Sequence, residues 1–244
     1  MEVERLSVPI IPYCDCWELQ QRRVLQCQRG GPGAVIFVEH PPVITLGRAG
    51  KRSSLVCRDS DLRTAGIDLV HSNRGGDITF HGPGQLVVYP ILNLRLIKKG
   101  VHDYFRSLEE ATLQTLCDFG ITGHRSRLGT GVWANHSQKG LSKIASMGIH
   151  ISRWVTSHGV ALNVCKSLEG FRYIIPCGLG GVQMTSMAEL SARPVSRYEV
   201  EEAFWHHLLH QLELTEQLPG CSRYHEREPE LFTNLHRRDR REHW

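Results

Sequence analysis

Apolar runs of strand length fall into two clusters in this chain, one over residues 34–94 and one over residues 132–164, with a long helical pattern between them. Residues 34–38 (Ala-Val-Ile-Phe-Val) are apolar throughout and read as a buried strand, which His40-Pro41-Pro42 must end because proline cannot donate to a ladder. Residues 43–46, 67–71 and 85–94 continue the first cluster around a glycine-rich turn; residues 132–134, 144–151 and 160–164 form the second. Between them Val101, Tyr104, Phe105, Leu108, Ala111, Leu116 and Phe119 recur at the spacing of one helical face. Clustered strands without strict strand–helix alternation predict an α+β fold, a single domain of mixed and antiparallel sheets flanked by helices.

Two further helices are expected. Residues 17–28 are rich in long side chains and stop at Gly30-Gly31, while Ser196-x-x-Glu199 has the capping-box pattern and opens a helix to about residue 214, closed by Pro219-Gly220. The chain has 244 residues, and its 41% hydrophobic content suffices for a substantial core. From Cys221 onward it is mostly His, Arg, Glu and Asp, so residues 1–220 are expected to fold and residues 221–244 to form a charged tail. A balance of 29 basic against 25 acidic residues creates no demand for nucleic acid. Eight scattered cysteines, the absence of a leader pattern and the lack of any bilayer-length apolar run point to a cytoplasmic protein without a membrane partner. The sequon at Asn135 is then a chance match.

Three segments carry chemistry. In Ile174-Ile-Pro-Cys-Gly-Leu179, Pro176 fixes the backbone before Cys177 and Gly178 leaves room for a substrate, a good setting for an attacking thiolate; a cysteine packed at the end of an apolar run is the plain alternative. Lys143 enters the apolar stretch Ile144-Ala-Ser-Met-Gly148, where an ammonium group is disfavoured and a base or proton carrier is favoured; an exposed edge-strand lysine is its alternative. The glycines of Arg74-Gly-Gly-Asp-Ile-Thr-Phe-His-Gly-Pro-Gly-Gln85 offer backbone N–H groups for an acyl oxygen, with Asp77, Thr79 and His81 orienting substrate. A tight turn with an Arg74–Asp77 ion pair is the rival reading there. His158 beside Gly159 reads first as a satisfied core histidine.

Other patterns fail. Gly129-Thr-Gly131-Val-Trp-Ala134 follows a charged segment rather than a strand, so it is not a dinucleotide site, and no Walker A run is present. His206 and His210 lie four apart, yet His207 stands where a metalloprotease needs Glu, and Cys14-x-Cys16 has the wrong spacing for zinc.

In this order, Arg74-Gly-Gly-Asp77 with His81-Gly-Pro-Gly-Gln85, Gly131-Val-Trp133, Lys143-Ile-Ala145, His158-Gly159 and Pro176-Cys-Gly178 resemble the lipoate-biosynthesis octanoyltransferase family, as does Glu39-His-Pro-Pro-Val-Ile-Thr-Leu-Gly-Arg48. The resemblance runs from about residue 12 to Met187. It implies the fold of the lipoate and biotin protein ligase catalytic domain and a Cys177/Lys143 dyad that carries octanoyl as a thioester. The donor it implies is octanoyl-acyl carrier protein. The acceptors are a lysine on the lipoyl domains of 2-oxoacid dehydrogenases and on glycine cleavage H protein. No cofactor and no metal is expected, and the enzyme is expected to be a monomer. The substrate-binding set comprises Arg74, Gly75, Gly76, Asp77, Thr79, His81, Gly82 and Gln85, then Ser146, Met147 and Gly148, then His158, Gly159 and Val160. His150 and Ser146 depart from the residues usual at their positions. Arg95, Lys98, Lys99, Lys51 and Arg52 offer a basic surface to an acidic carrier protein. Left open are an ATP-dependent ligase on the same fold, an amidotransferase with a lipoylated donor, and a binding module in which Cys177 is only core.

Overall fold

In the computed structural model, which describes residues 1–165, 168–176 and 181–217, strand β1 (Glu2–Val8) pairs in parallel with β2 (Gly33–Val38) from Val3 opposite Gly33 to Val8 opposite Val38. Nothing in the sequence reading anticipated β1. Between the two runs helix α1 (Tyr13–Gln28), which follows Pro12 at the cap position and begins four residues before the expected start. The chain continues through β3 (Val43–Leu46), α2 (Asp59–Thr64), β4 (Asp68–His71), β5 (Ile78–His81), β6 (Gln85–Ile91) and α3 (Val101–Asp118). It then forms β7 (Gly123–His124), β8 (Val132–His136), β9 (Gly140–Ser152), β10 (Val155–Asn163), α4 (Met187–Leu190), α5 (Arg197–Leu212) and β11 (Thr215–Glu216).

Among the described residues these strands form two mixed sheets, one ordered β11-β1-β2-β6-β10-β9-β8-β7 and one ordered β4-β3-β5. Side-chain alternation explains why the central strands read as unbroken apolar runs. Val35 and Phe37 of β2 join Leu86 and Val88 of β6 against α3 and α5, whereas Ile36, Val38, Val87 and Tyr89 point to the opposite face with Cys16 and Cys27 of α1. Phe37 meets Phe204 and Trp205 edge-on at 6.3 and 5.9 Å between ring centres. Each such buried side chain contributes about 1.5–3 kcal/mol from water exclusion alone. The small sheet has its own core, where Ile44, Ile78 and Phe80 pack on Phe171 and Ile174. The α+β architecture of one domain with mixed sheets is therefore the observed one.

Three local expectations need correction. Residues 78–81, expected as part of a turn, form β5, because Ile78, Thr79 and Phe80 suit a strand and all four residues are buried. Ser196 occupies the cap position of α5 but makes no side-chain capping bond; Glu199 instead accepts from Arg193 at 3.2 Å. That helix ends at Leu212, with Glu213 in the left-handed region (φ 51°), and the chain turns into β11. Pro219, Gly220 and the 221–244 tail lie outside the described residues.

Candidate active site

β9 is thirteen residues long, and its outer edge changes partner part-way along. Residues 140–145 pair with β8, ending at Ala145 opposite Val132, and the Ile149 carbonyl then accepts from the Gly75 N–H at 2.8 Å. Between those two joints a cavity of about 430 Å³ opens against β5, β6 and β10. Arg74, Gly75, Gly76, Asp77, Thr79 and His81 line it from the first segment. Lys143, Ser146, Met147 and Gly148 line it from β9, and His158, Gly159 and Val160 from β10. Of the expected substrate-binding set, Gly82 and Gln85 do not reach the lining. Cys177 lies outside the described residues.

Lys143 reaches the cavity through a bulge: Val132 faces Ala145 and Trp133 faces Lys143, so Ile144 has no partner of its own and the side chains beyond it are re-aimed. The lysine is 1% exposed, with Nζ 5.6 Å from the centre of the Trp133 ring, which is itself held by an Nε1–H bond to the Gly129 carbonyl at 3.0 Å. This excludes the exposed edge-strand reading. Gly131 makes the passage possible: its φ of +118° disfavours any side chain, and a Cβ there would lie 2.9 Å from Lys143 Cε. The Lys143 main chain donates to Gln183 O at 2.8 Å and accepts from Thr185 N at 3.0 Å, so the segment following residue 180 runs alongside it. Before the undescribed residues, the Ile175 N–H is anchored on Ser54 O at 2.7 Å.

Arg74 ties the glycine-rich loop together. Its guanidinium donates to Thr45 Oγ1 and Thr45 O at 3.0 and 2.6 Å and to the Asp77 carbonyl at 2.8 Å. The Asp77 carboxylate accepts from the Lys51 N–H and the Ser54 hydroxyl.

Three buried histidines sit around the cavity. Burial, reinforced by neighbouring His40 and Arg74 against a hydrogen bond to Gln85 Oε1, holds His81 well below the usual histidine value. Burial also lowers His40 to about 4, against a hydrogen bond to Ile11 O. His158 is lowered to about 3 by burial and then by Arg74 and His150. All three are neutral near pH 7, which suits an uncharged acyl chain. His158 adopts φ 55°, its N–H held by Gln20 Oε1 at 2.8 Å and its Nε2 by Asn73 Oδ1 at 2.7 Å. Its Nδ1 has no partner among the described residues, so the satisfied-core reading holds for one ring nitrogen only.

Sequence reasoning missed Tyr13 and Tyr89, which line the cavity, and His40, which packs edge-on against Tyr13 and His81. Tyr13 precedes the apparent helix start and Tyr89 is embedded in an apolar run, so neither carries a local signal. His206 and His210 are exposed, Cys14 is exposed, and Cys16 is buried with its thiol pushed up to about 12 by burial.

A family model described as the lipoyl protein ligase A/B catalytic domain matches residues 12–209, which include every cavity element. The chain belongs to that family. It is 47% identical over 213 residues to an octanoyltransferase of Solibacter usitatus, covering 87% of this chain and 93% of the relative. An octanoyltransferase of Syntrophotalea carbinolica is 43% identical over 208 residues, covering 85% and 92%. Among solved structures, lipoate-protein ligase A bound with ATP superposes with a TM-score of 0.73 at 16% identity, covering 96% of this chain and 94% of that one. A bi-partite lipoate protein ligase from Thermoplasma acidophilum gives 0.68 at 18% identity, covering 96% and 92%. Both confirm the family's fold. Among the described residues, no helix is long and apolar enough to cross a membrane.

Proposed function

We propose that this enzyme transfers an octanoyl group from octanoyl-acyl carrier protein to the ε-amine of a lysine on lipoyl domains and on glycine cleavage H protein, through a thioester on Cys177. The observation that carries the reading is Lys143, buried in the wall of a largely apolar cavity within a chain 47% identical to an octanoyltransferase.

In the first half-reaction Lys143 takes the Cys177 proton, the sulfur bonds to the acyl carbon, the donor C–S bond breaks, and the proton passes to the departing carrier thiolate. In the second, the acceptor amine forms the C–N bond, the Cys177 C–S bond breaks, and the amine's proton leaves through Lys143 to restore the thiol. Backbone N–H groups of the glycine-rich loop face each oxyanion. Thioester exchange is nearly isoenergetic and amide formation runs downhill, so the cycle needs no nucleotide. The enzyme works as a cytoplasmic monomer, residues 1–220 forming the catalytic unit, and Lys98 and Lys99 belong to the surface that meets the acidic carrier.

Purified enzyme, octanoyl-acyl carrier protein and an apo lipoyl domain, with nucleotide omitted, test this directly. Octanoylated lipoyl domain is the expected product; a strict requirement for ATP would instead establish a ligase.

A further inference from the structure

Behind His81 lies a chain of side chains that the proposed chemistry leaves unused. His81 Nδ1 is 2.8 Å from Gln85 Oε1, Gln85 Nε2 is 2.9 Å from Asn163 Oδ1, and Asn163 Nδ2 is 3.0 Å from Thr185 O. The Thr185 N–H in turn donates to Lys143 O at 3.0 Å. All three side chains are buried, and Gln85 stands directly opposite Asn163 where β6 pairs with β10.

Two main-chain carbonyls fix the direction of every bond in this chain. A carbonyl can only accept, so the Asn163 atom facing Thr185 O is its NH2 group, which leaves Asn163 Oδ1 facing Gln85. Gln85 Nε2 also lies 3.2 Å from Phe80 O, so that end of Gln85 is its NH2 group as well. Gln85 Oε1 therefore accepts, and His81 Nδ1 carries the proton. With the ring neutral, Nε2 is left as a bare lone pair. Nε2 is bonded to none of the described residues, and His81 lines the cavity. The acyl chain and its thioester offer no N–H or O–H donor for it; the attacking amine does.

We infer that His81 Nε2 accepts a hydrogen bond from the ε-amine of the acceptor lysine and so holds the attacking amine in the cavity, with Gln85 and Asn163 as positioning residues that hold the imidazole in this tautomer. The inference rests on the acyl-enzyme reading above and assigns His81 to its second half-reaction alone. The amine's remaining N–H is left for proton transfer to Lys143. Burial keeps His81 neutral, so the acceptor is available at neutral pH.

His81→Asn separates the two halves, because the Asn amide can replace Nδ1–H toward Gln85 while removing the cavity acceptor. Intact-mass time courses would follow acylation by octanoyl-acyl carrier protein alone, then decay of the adduct on adding an apo lipoyl domain. Lysine-dependent decay is expected to slow about 100-fold, at least about 30-fold more than acylation, so that adduct accumulates at steady state. Gln85→Leu, which frees the ring without deleting it, is expected to show the same partition at roughly tenfold. If the Asn variant fails to fold, the Leu variant alone decides. Equal slowing of both steps, or an unchanged decay, overturns the assignment; a wild type that transfers octanoyl without ever forming an adduct overturns the reading beneath it.

Discussion

Gly148 of β9 passes so close to the Gly75 carbonyl that a Cβ at position 148 would lie 2.6 Å from its oxygen. The contact belongs to the joint that closes the cavity, since the Gly75 N–H bonds the next residue of the same strand, Ile149. Gly148→Ala cannot be absorbed by a rotamer change, because the obstacle is backbone. We expect it to destabilise the fold by about 1–3 kcal/mol and to raise KM for the acyl donor. Urea denaturation and donor titration measure the two effects.

Lys143→Met keeps the length and packing of the side chain against Trp133 and removes its proton chemistry. Turnover should fall by at least about 100-fold. The melting temperature should hold, since an apolar side chain suits a site that is 1% exposed. Unchanged turnover in a folded variant would remove Lys143 from the mechanism.

The buried histidines make stability sensitive to acid. In the unfolded chain they bind protons near pH 6.5, whereas folded His40 and His158 do so only near 4 and 3. The unfolded state therefore holds more protons below pH 6.5, and the stabilisation present above that value is lost as pH falls toward 4, by about 1.4 kcal/mol per pH unit for each histidine. Denaturant midpoints at pH 7 and pH 5 test this; His40→Gln should flatten the slope.

We expect acyl-chain length to be read by the apolar part of the cavity, where Val87, Phe105, Met147 and Val160 line the wall. Two methylenes are worth about 1.6 kcal/mol, so a hexanoyl donor should lose roughly 15-fold in kcat/KM against octanoyl. Equal rates for the two donors would mean the chain binds elsewhere.

Lys98 and Lys99 precede α3, close in sequence to cavity-lining Phe105, whereas Arg52 is paired with Asp59 and Arg95 stacks on Trp154 at 4.7 Å. The two lysines are thus the better candidates for meeting an acidic carrier. Lys98→Glu with Lys99→Glu should raise KM for the carrier-bound donor and weaken its salt dependence, leaving kcat unchanged.

What the sequence made legible follows from where the physical signal is local. The periodicity of α3 and the continuous apolar run of β2 each have one cause, packing against the sheet core or burial on both faces, and both elements lie where expected. Strand β5 was hidden because Ile78, Thr79 and Phe80 sit between glycines that read as one turn, and β1 because its alternation is too weak to stand out. At the site, thirteen of the expected residues line one cavity because they fall in short motifs; Gln85, expected there too, instead turns its side chain to Asn163, a partner 78 positions away that no local pattern reveals. Tyr13 and His40 meet His81 only through the fold.

The most direct test of the account is the intact mass of the enzyme after incubation with octanoyl-acyl carrier protein, beside a Cys177→Ala control. A hydroxylamine-labile octanoyl adduct that is absent from the control is the predicted result. Octanoyl transfer to a lipoyl domain without any adduct, or an adduct that persists in the control, would contradict it.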